Sequence, residues 1–288
     1  MIVIMGASST IGNELLKRLV QMGVPVTAVS RQSEKMRKSM AIYDQSAIQF
    51  VSADASDTES LRRAFKGAKQ LFLTMANSPH QIEMETAIIQ IAAQSGIEHI
   101  VKISSPAFEK SAPVEVANWH RQIEGMLQQS GLTHTILRPY AFMQNVLRFA
   151  PAIKNQNVFY GCMGTSPCNF IDCRDIADVA AEALTNNKVS GQVYTLTGKE
   201  VFSYSEIADK LSVLLNRPIA YMNLEPEALS RNLIERGNMP PWLANHVVEI
   251  QTMSTIVPEV PTNTVKEMLG RDPRTIDAFL LEHVETFR

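Results

Sequence analysis

The sequence predicts an α/β protein with a doubly wound parallel sheet and a smaller, discontinuous domain supplied by its C-terminal half. Over the first 140 residues, short apolar runs typical of buried strands alternate with segments of helical apolar spacing. Because the connections between them are short, this alternation predicts right-handed crossovers within one parallel sheet. After Pro151 the alternation gives way to an irregular and then mostly helical pattern, which indicates a second structural unit.

Six strands and five helices are predicted in the first half of the chain. The strands are predicted at Ile2–Met5, Pro25–Val29, Ala47–Ser52, Gln70–Met75, Ile100–Ile103 and Thr133–Leu137. The helices are predicted at Ile11–Met22, Gln32–Met40, Thr58–Phe65, Gln81–Ser95 and Val116–Ser130. Gly67, Gly96 and Gly131 follow three of these helices, at the position where a residue of left-handed conformation commonly ends a helix.

Fewer regular elements are predicted beyond Pro151. Phe170–Asp172 is predicted as a strand, and Asp175 is predicted to cap a helix over Ile176–Leu184. Gln192–Leu196 is expected to extend the main sheet by one strand. These placements predict a main domain of residues 1–150 with 172–198, and a smaller domain of residues 151–171 with 199–288.

Composition and charge limit the classes of partner. The 27 basic and 29 acidic residues are nearly balanced and form no long run of one sign, which argues against nucleic acid or an anionic membrane. No apolar segment approaches the roughly 20 residues of a membrane span. Because the chain opens directly with a core strand, we expect no signal peptide and a cytoplasmic location.

The three cysteines, Cys162, Cys168 and Cys173, lack the spacing of a metal site and have no histidine near them in sequence. We therefore expect no bound metal. The cysteines are predicted to be small buried side chains, with a redox-sensitive thiol as the alternative.

The turn after the first strand has the features of a diphosphate site. An apolar strand, a glycine-containing turn and a helix N-terminus present backbone N–H groups and the positive end of the helix dipole to an anion. Gly6 allows the sharp turn, Gly12 allows close packing, and Ser9 stands where a dinucleotide fingerprint usually has its middle glycine. The Ser9 side chain either crowds the diphosphate or donates to it. The expected contacts in this turn are Gly6, Ser8, Ser9, Thr10, Ile11 and Gly12.

The end of the second strand indicates which dinucleotide binds. NAD-specific sites place a carboxylate there, whereas this chain has Ser30 and Arg31. A guanidinium can pair with a 2′-phosphate, so NADPH is predicted in preference to NADH; the alternative is that Arg31 is only a solvated loop residue. Asp54, after the third strand, is expected to accept a hydrogen bond from the adenine amino group.

The loops after the fourth and fifth strands are expected at the other end of the cofactor, because ligands of such sheets bind at the carboxyl ends of the strands. Further cofactor contacts are predicted at Thr74, Met75, Ala76, Lys102 and Ser104.

The chain resembles the NmrA-like branch of the atypical short-chain dehydrogenases/reductases. The resemblance covers nearly the whole chain and is carried by the glycine turn, Ser30-Arg31, Asp54, Arg138–Asn145 and Phe170–Ala177. Within that branch the sequence is similar to bacterial NADPH-dependent quinone reductases of type two. The resemblance implies an extended Rossmann domain, NADPH binding and a small C-terminal substrate domain.

One departure from the wider superfamily concerns the proton-relay pair, a tyrosine followed four residues later by a lysine. The corresponding helix has His120 and Glu124 instead, one turn apart on one face. They are candidate catalytic residues, with a structural hydrogen-bonded pair as the alternative. Tyr140, a third catalytic candidate, and Asn145 are expected to face the cofactor.

Three functions are compatible with these residues. The leading hypothesis is hydride transfer from NADPH to a quinone or similar small electrophile, because such an acceptor does not need the Tyr–Lys relay. The second is a non-enzymatic, NADP(H)-sensing regulator that binds a protein partner. A nucleotide-sugar epimerase is disfavoured because that chemistry moves a proton on a hydroxyl group. A homodimer is a further possibility for the assembly.

Overall fold

The computed structural model describes residues 1–43, 45–106, 114–186 and 189–288, and its centre is a seven-stranded parallel sheet. Its strands are β1 (Ile2–Met5), β2 (Val26–Ser30), β3 (Ile48–Ser52), β4 (Gln70–Leu73), β5 (His99–Ile103), β6 (Thr133–Pro139) and β10 (Val193–Leu196). Their order is β10-β6-β5-β4-β1-β2-β3, and every neighbouring pair is parallel. The predicted doubly wound fold is confirmed, as is the strand that extends the sheet beyond β6.

Helices cover both faces of this sheet. They are α1 (Thr10–Gln21), α2 (Ser33–Ser39), α3 (Thr58–Phe65), α4 (Gln81–Gln94), α5 (Glu115–Gln129) and α7 (Cys173–Thr185). Side chains alternate along each strand, so Ile2 and Ile4 of β1 pack towards α1 and α7, whereas Val3 and Met5 pack towards α3, α4 and α5. The sheet is therefore buried between two apolar layers.

The C-terminal half adds small sheets, helices and a third apolar cluster. Its strands are β7 (Ala141–Phe142), β8 (Val158–Gly161), β9 (Cys168–Ile171), β11 (Val201–Phe202) and β12 (Ala220–Asn223). Its helices are a 3₁₀ helix (Met143–Phe149), α6 (Ala150–Gln156), α8 (Tyr204–Leu215), α9 (Pro226–Glu235), α10 (Pro241–Ile256), α11 (Thr264–Leu269), α12 (Ile276–Glu282) and α13 (Val284–Phe287). The third cluster includes Phe159, Tyr204 and Phe279. The predicted domain boundaries remain predictions.

Helix α7 begins three residues earlier than predicted. Asp172, not Asp175, is the N-cap, and its carboxylate accepts the Arg174 N–H at 2.8 Å. Asp175 lies in the first turn, fully buried, where it pairs with Arg271 and Arg274 of the C-terminal tail. Both positions suit a carboxylate at a helix N-terminus, so local sequence could not separate them; the tail contacts decide the role of Asp175.

Gly67 follows α3 with a φ of 74°, in agreement with its predicted place at a helix end. Polar side chains cap two helix N-termini: Asp57 caps α3, and a Ser203–Glu206 capping box opens α8. The three cysteines are buried and form no disulfide. Within the described ranges, no helix is long and apolar enough to cross a membrane.

The close packing around the glycine turn makes a stability prediction. A Cβ added at Gly12 would lie 2.2 Å from the Gly6 carbonyl oxygen, whereas one added at Gly125, within α5, would meet no atom within 4 Å. We expect Gly12→Ala to lower the free energy of unfolding by about 1 to 3 kcal/mol through overpacking. Gly125→Ala is the control, expected to raise it by about 0.5 to 1 kcal/mol. Urea denaturation measures both, and equal effects at the two positions would contradict the prediction.

Candidate functional site

The glycine turn brings three backbone segments together at the carboxyl edge of the sheet. Gly6 has a φ of 85°, a conformation that favours glycine, and a Cβ there would lie 2.0 Å from the Thr74 carbonyl oxygen. Gly12 packs against Gly6 in the same way. The N-terminus of α1 is thereby fixed next to the end of β4.

Ser9 is the N-cap of α1. Its Oγ accepts the Gly12 N–H at 3.0 Å, which satisfies one of the first-turn N–H groups that have no partner within a helix. Ser8 and Thr10 are exposed on either side of it. Ser9 therefore has a structural role at the position where the fingerprint usually has glycine, and its hydroxyl proton is still available as a donor.

Ser30 and Arg31 lie next to this turn. Ser30 Oγ lies 3.5 Å from Ser8 Oγ and accepts the Gln32 N–H at 3.1 Å. The Arg31 side chain is exposed. The end of β2 thus places the Ser30 hydroxyl beside the N-terminus of α1, and the exposed Arg31 follows it in the chain.

Asp54 lies in the same region, just after the end of β3. Its Oδ1 accepts both the backbone N–H of Ser56, at 2.9 Å, and the Ser56 hydroxyl, at 2.6 Å. These hydrogen bonds hold the pKa of the Asp54 carboxyl below its usual value, and the nearby Arg31 charge lowers it further. Asp54 is an ionised acceptor at neutral pH, and Oδ1 is already used in the turn.

This end of the site fits a phosphorylated dinucleotide. The first turn of α1 contains no acidic residue, and exposed hydroxyls and an arginine surround it. Backbone donors, hydroxyls and a guanidinium are the groups that bind phosphate oxygens.

The end of β4 provides the next part of the cleft. Thr74 is buried, Met75 is partly buried and Ala76 is exposed, so the backbone emerges at the surface over these three residues. Asn77 follows, and its side-chain amide lies 3.3 Å from the imidazole of His246 on α10. A residue from the C-terminal half therefore reaches the edge of the main sheet at this point.

Lys102 belongs to a buried polar network. Its Nζ lies 2.5 Å from Glu85 Oε2, donates to the Ile103 carbonyl at 3.0 Å, and lies 3.4 Å from His120 Nδ1. Gln81 Nε2 donates to the other Glu85 oxygen at 2.7 Å. Because Lys102 and Glu85 are fully buried, the Lys102 side chain is not available to a cofactor, in contrast to its predicted place among the cofactor contacts.

Glu124 is part of a second buried group. Both of its carboxylate oxygens are engaged by the Arg138 guanidinium, and the Ser104 hydroxyl donates to Oε1 at 2.5 Å. His120 instead contacts Lys102 and Gln81. The two side chains share a helix face as predicted, but each has its own partners. The structure gives Glu124 a role in joining α5 to the ends of β5 and β6.

His120 is neutral at physiological pH. Burial lowers the pKa of this imidazole well below its usual value, and the charges of Lys102 and His246 act in the same direction. A lysine ammonium and an amide NH₂ group only donate hydrogen bonds, and neutral imidazole has one acceptor nitrogen, so the ring accepts from at most one of Lys102 and Gln81. Neutral imidazole is a poor acid, which weighs against His120 as the source of a proton.

Tyr140 and Asn145 follow β6. Tyr140 is partly buried, and this burial raises the pKa of its phenol, as does the carboxylate of Glu259. The phenol is therefore protonated and able to donate a hydrogen bond at neutral pH. Asn145 is exposed in the 3₁₀ helix.

Sequence reasoning missed the contribution of α10. His246 contacts Asn77, and Trp242 lies against Trp119 of α5 with ring centroids 6.2 Å apart. A single histidine in a helix carries no signal by itself, because its position depends on how the helix packs. Among the described residues, no group of His, Cys, Asp or Glu side chains is arranged to hold a metal ion.

Comparison with known proteins identifies the family. The model of the NmrA-like family matches residues 1–280. This chain belongs to the NmrA-like family. The resemblance carried by the glycine turn and the Arg138–Asn145 segment is confirmed by that match.

Two curated relatives align along their full length. The chain is 30% identical to the NAD(P)H azoreductase of Xenophilus azovorans, covering 100% of this chain and 99% of that protein. It is 31% identical, over the same shares, to the (4-alkanoyl-5-oxo-2,5-dihydrofuran-3-yl)methyl phosphate reductase of Streptomyces griseus. Among solved structures, the NADPH-dependent quinone oxidoreductase of Escherichia coli in complex with NADPH matches with a TM-score of 0.85 at 24% identity, covering 99% of each chain. That likeness confirms the fold.

The buried Lys102–Glu85 pair makes a second stability prediction. Lys102→Met leaves the Glu85 carboxylate buried without its counter-charge, so we expect the free energy of unfolding to fall by about 3 to 5 kcal/mol. The control is Lys69→Met: Lys69 and Glu98 are also 2.5 Å apart but exposed, so the loss should be at most about 1 kcal/mol. Similar losses for the two lysines in urea denaturation would be the contrary result.

Proposed function

We propose that this protein is an NADPH-dependent oxidoreductase that transfers hydride to a quinone or a similar small electrophile. The class of the activity, an NAD(P)H-dependent oxidoreductase, is supported by the names of its full-length relatives, an azoreductase and a dihydrofuranone reductase. A small-molecule acceptor follows from that class. The finer choices of cofactor and acceptor depend on the geometry of this chain.

The observation that carries the proposal is the arrangement at the end of β2. Ser30 and the exposed Arg31 lie beside the glycine turn, where a carboxylate for an unphosphorylated ribose would otherwise be expected. A guanidinium there binds a 2′-phosphate with charge-assisted hydrogen bonds. This supports NADPH over NADH.

The choice of acceptor rests on α5. This helix contains neither a tyrosine nor a lysine, and its buried polar residues, His120 and Glu124, are occupied by the network and by Arg138. The bound nicotinamide supplies the hydride, and the protein orients the acceptor and excludes water. A quinone accepts hydride without prior loss of a proton, so a bound nicotinamide, orientation of the quinone and exclusion of water are sufficient for its reduction.

The alternative is a regulatory protein that senses the redox state of NADP(H). It is favoured by the same observation on α5, since a sensor also needs no proton relay. A homodimer or a protein partner is a further proposal for either function.

The role of Arg31 is tested by replacing it with alanine. We expect Arg31→Ala to weaken NADPH binding by roughly 10- to 100-fold, the loss of one charge-assisted contact, and to leave NADH binding unchanged. Arg37→Ala is the control, since Arg37 has the same charge but stacks over the Phe50 ring with its centroid 5.0 Å away. Fluorescence titration of both cofactors measures the effect. Equal losses for NADPH and NADH would remove the 2′-phosphate assignment.

The activity is tested with a panel of acceptors. We expect NADPH oxidation in the presence of menadione, with one NADPH consumed for each quinone, and slower or no oxidation of NADPH with simple ketones. A protein that binds NADPH but reduces no quinone, azo dye or conjugated enone is not this enzyme. A large difference in affinity between NADPH and NADP⁺ would then favour the sensor.

A further inference from the structure

Helix α10 lies across the carboxyl edge of the main sheet. Trp242 contacts Trp119, His246 contacts Asn77, and Met253 packs with Val114 and Ala117 at the start of α5. Trp242 and His246 are four positions apart along α10, and His246 and Met253 are seven positions apart. At these spacings the three residues lie on one face of the helix. That face covers the loop after β4 and the N-terminal half of α5.

The hydrogen bonding of His246 leaves one ring nitrogen without a partner. The Asn77 amide nitrogen lies 3.3 Å from Nε2, and an amide NH₂ group only donates, so Nε2 is the acceptor. Burial lowers the pKa of His246 to about 4, so the ring is neutral at physiological pH and its proton is on Nδ1. Nδ1 is itself buried and has no hydrogen-bond partner within the described structure.

A buried N–H group without an acceptor is costly, by about 1 to 3 kcal/mol. The groups around His246 indicate a binding role that accounts for this cost. His246 is close enough to His120 for a charge on one ring to disfavour a charge on the other, and the Trp119 and Trp242 rings provide flat apolar surface beside it. A polar donor next to aromatic surface, at the carboxyl ends of β4 and β5, is suited to a flat conjugated ligand with an acceptor atom.

We propose that His246 donates a hydrogen bond from Nδ1 to a carbonyl oxygen of the conjugated acceptor, which lies between α10 and the ends of β4 and β5. This inference rests on the proposed function and deepens it. It adds the residue that orients the acceptor, and it assigns a conjugated carbonyl compound with a flat ring as the substrate class.

Such a donor accelerates the chemistry. When hydride and its two electrons add to a conjugated carbonyl compound, the carbonyl π bond breaks and negative charge develops on the oxygen. A hydrogen bond from a fixed, neutral N–H stabilises that charge as it forms. Water then supplies the proton that converts the oxygen to a hydroxyl, so His246 keeps its own proton.

The attachment of α10 is compatible with entry of the acceptor. Across the described residues, two hydrogen bonds connect α10 to the sheet side: Asn77 with His246, and the Glu115 N–H with the Glu249 carboxylate at 3.2 Å. The apolar contact between α10 and α5 consists of Met253 and Ile250 with Val114 and Ala117, together with the Trp242–Trp119 pair. Access of the acceptor to Nδ1 requires a shift of α10, and no described residue of α10 belongs to the three main apolar clusters.

Two substitutions of His246 test the roles of its two ring nitrogens separately. His246→Gln keeps an acceptor near the position of Nε2, for Asn77, but removes the donor at Nδ1. His246→Asn places an amide donor near the position of Nδ1 but loses the contact with Asn77. The control is His80→Gln, because the His80 side chain is exposed and its imidazole lies near the neighbouring Glu83.

The kinetic test uses menadione and NADPH. We expect His246→Gln to lower kcat/KM for menadione by roughly 10- to 100-fold while the Kd for NADPH is unchanged. His246→Asn should recover a measurable part of this loss, and His80→Gln should match the wild type. If the wild type reduces menadione and His246→Gln does so equally well, the role of His246 is wrong while the proposed function stands.

A spectroscopic test does not depend on turnover. Nitrogen-15 NMR of the histidine rings, assigned with His246→Gln, should show the Nδ1–H form of His246 in the free protein. In the complex with NADP⁺, which cannot deliver hydride, saturating menadione should shift that N–H resonance. An Nε2–H ring, or a resonance that menadione leaves unchanged, would overturn the inference whatever the activity assay shows.

Discussion

The close approach of Gly6, Gly12 and the Thr74 carbonyl is the constraint on which the rest of the site depends. A side chain at either glycine would occupy the place of a backbone atom, so β1, α1 and the end of β4 are held at a separation that only glycine permits. This contact fixes the N-terminus of α1 next to the end of β4. It also fixes where the chain leaves β4, and hence where Asn77 meets α10.

The buried charges beside this contact hold the scaffold in place. Lys102 with Glu85, and Glu124 with Arg138, join β5 and β6 to α4 and α5 at the level of the site. Buried pairs of this kind give little net stability but fix the relative positions of the elements they join, because breaking them leaves a charge in the interior. In this family member the polar face of α5 is used for such fixation, and the groups that remain to meet a ligand are neutral donors such as Tyr140 and the imidazole of His246.

The main sheet was predictable from sequence because its signals are local. Each strand is a short apolar run, each crossover helix has its own spacing, and Gly6 and Gly12 mark a turn whose geometry they alone allow. The pairing of β8 with β12 was not predictable, since each strand has only four residues and the two lie about sixty residues apart in the sequence. The same holds for the site. Ser30, Arg31 and Asp54 follow from strand ends, whereas the burial of Lys102 depends on Glu85 of another helix, and His246 depends on how α10 docks.

A neutral imidazole suits the position of His246 better than a charged one. The ring lies near His120, whose Nδ1 is 3.4 Å from the Lys102 ammonium, and a second positive charge would be unfavourable in a site shielded from water. An imidazolium would also hand its proton to the acceptor and then need to be recharged under α10. A neutral N–H can stabilise the developing charge in every cycle without changing its own protonation state. Water then protonates the product oxygen once α10 shifts. On this reasoning, α10 excludes water during hydride transfer and must then readmit it. The attachment of α10 to the sheet side, by a small apolar contact and two described hydrogen bonds, is consistent with such a movement.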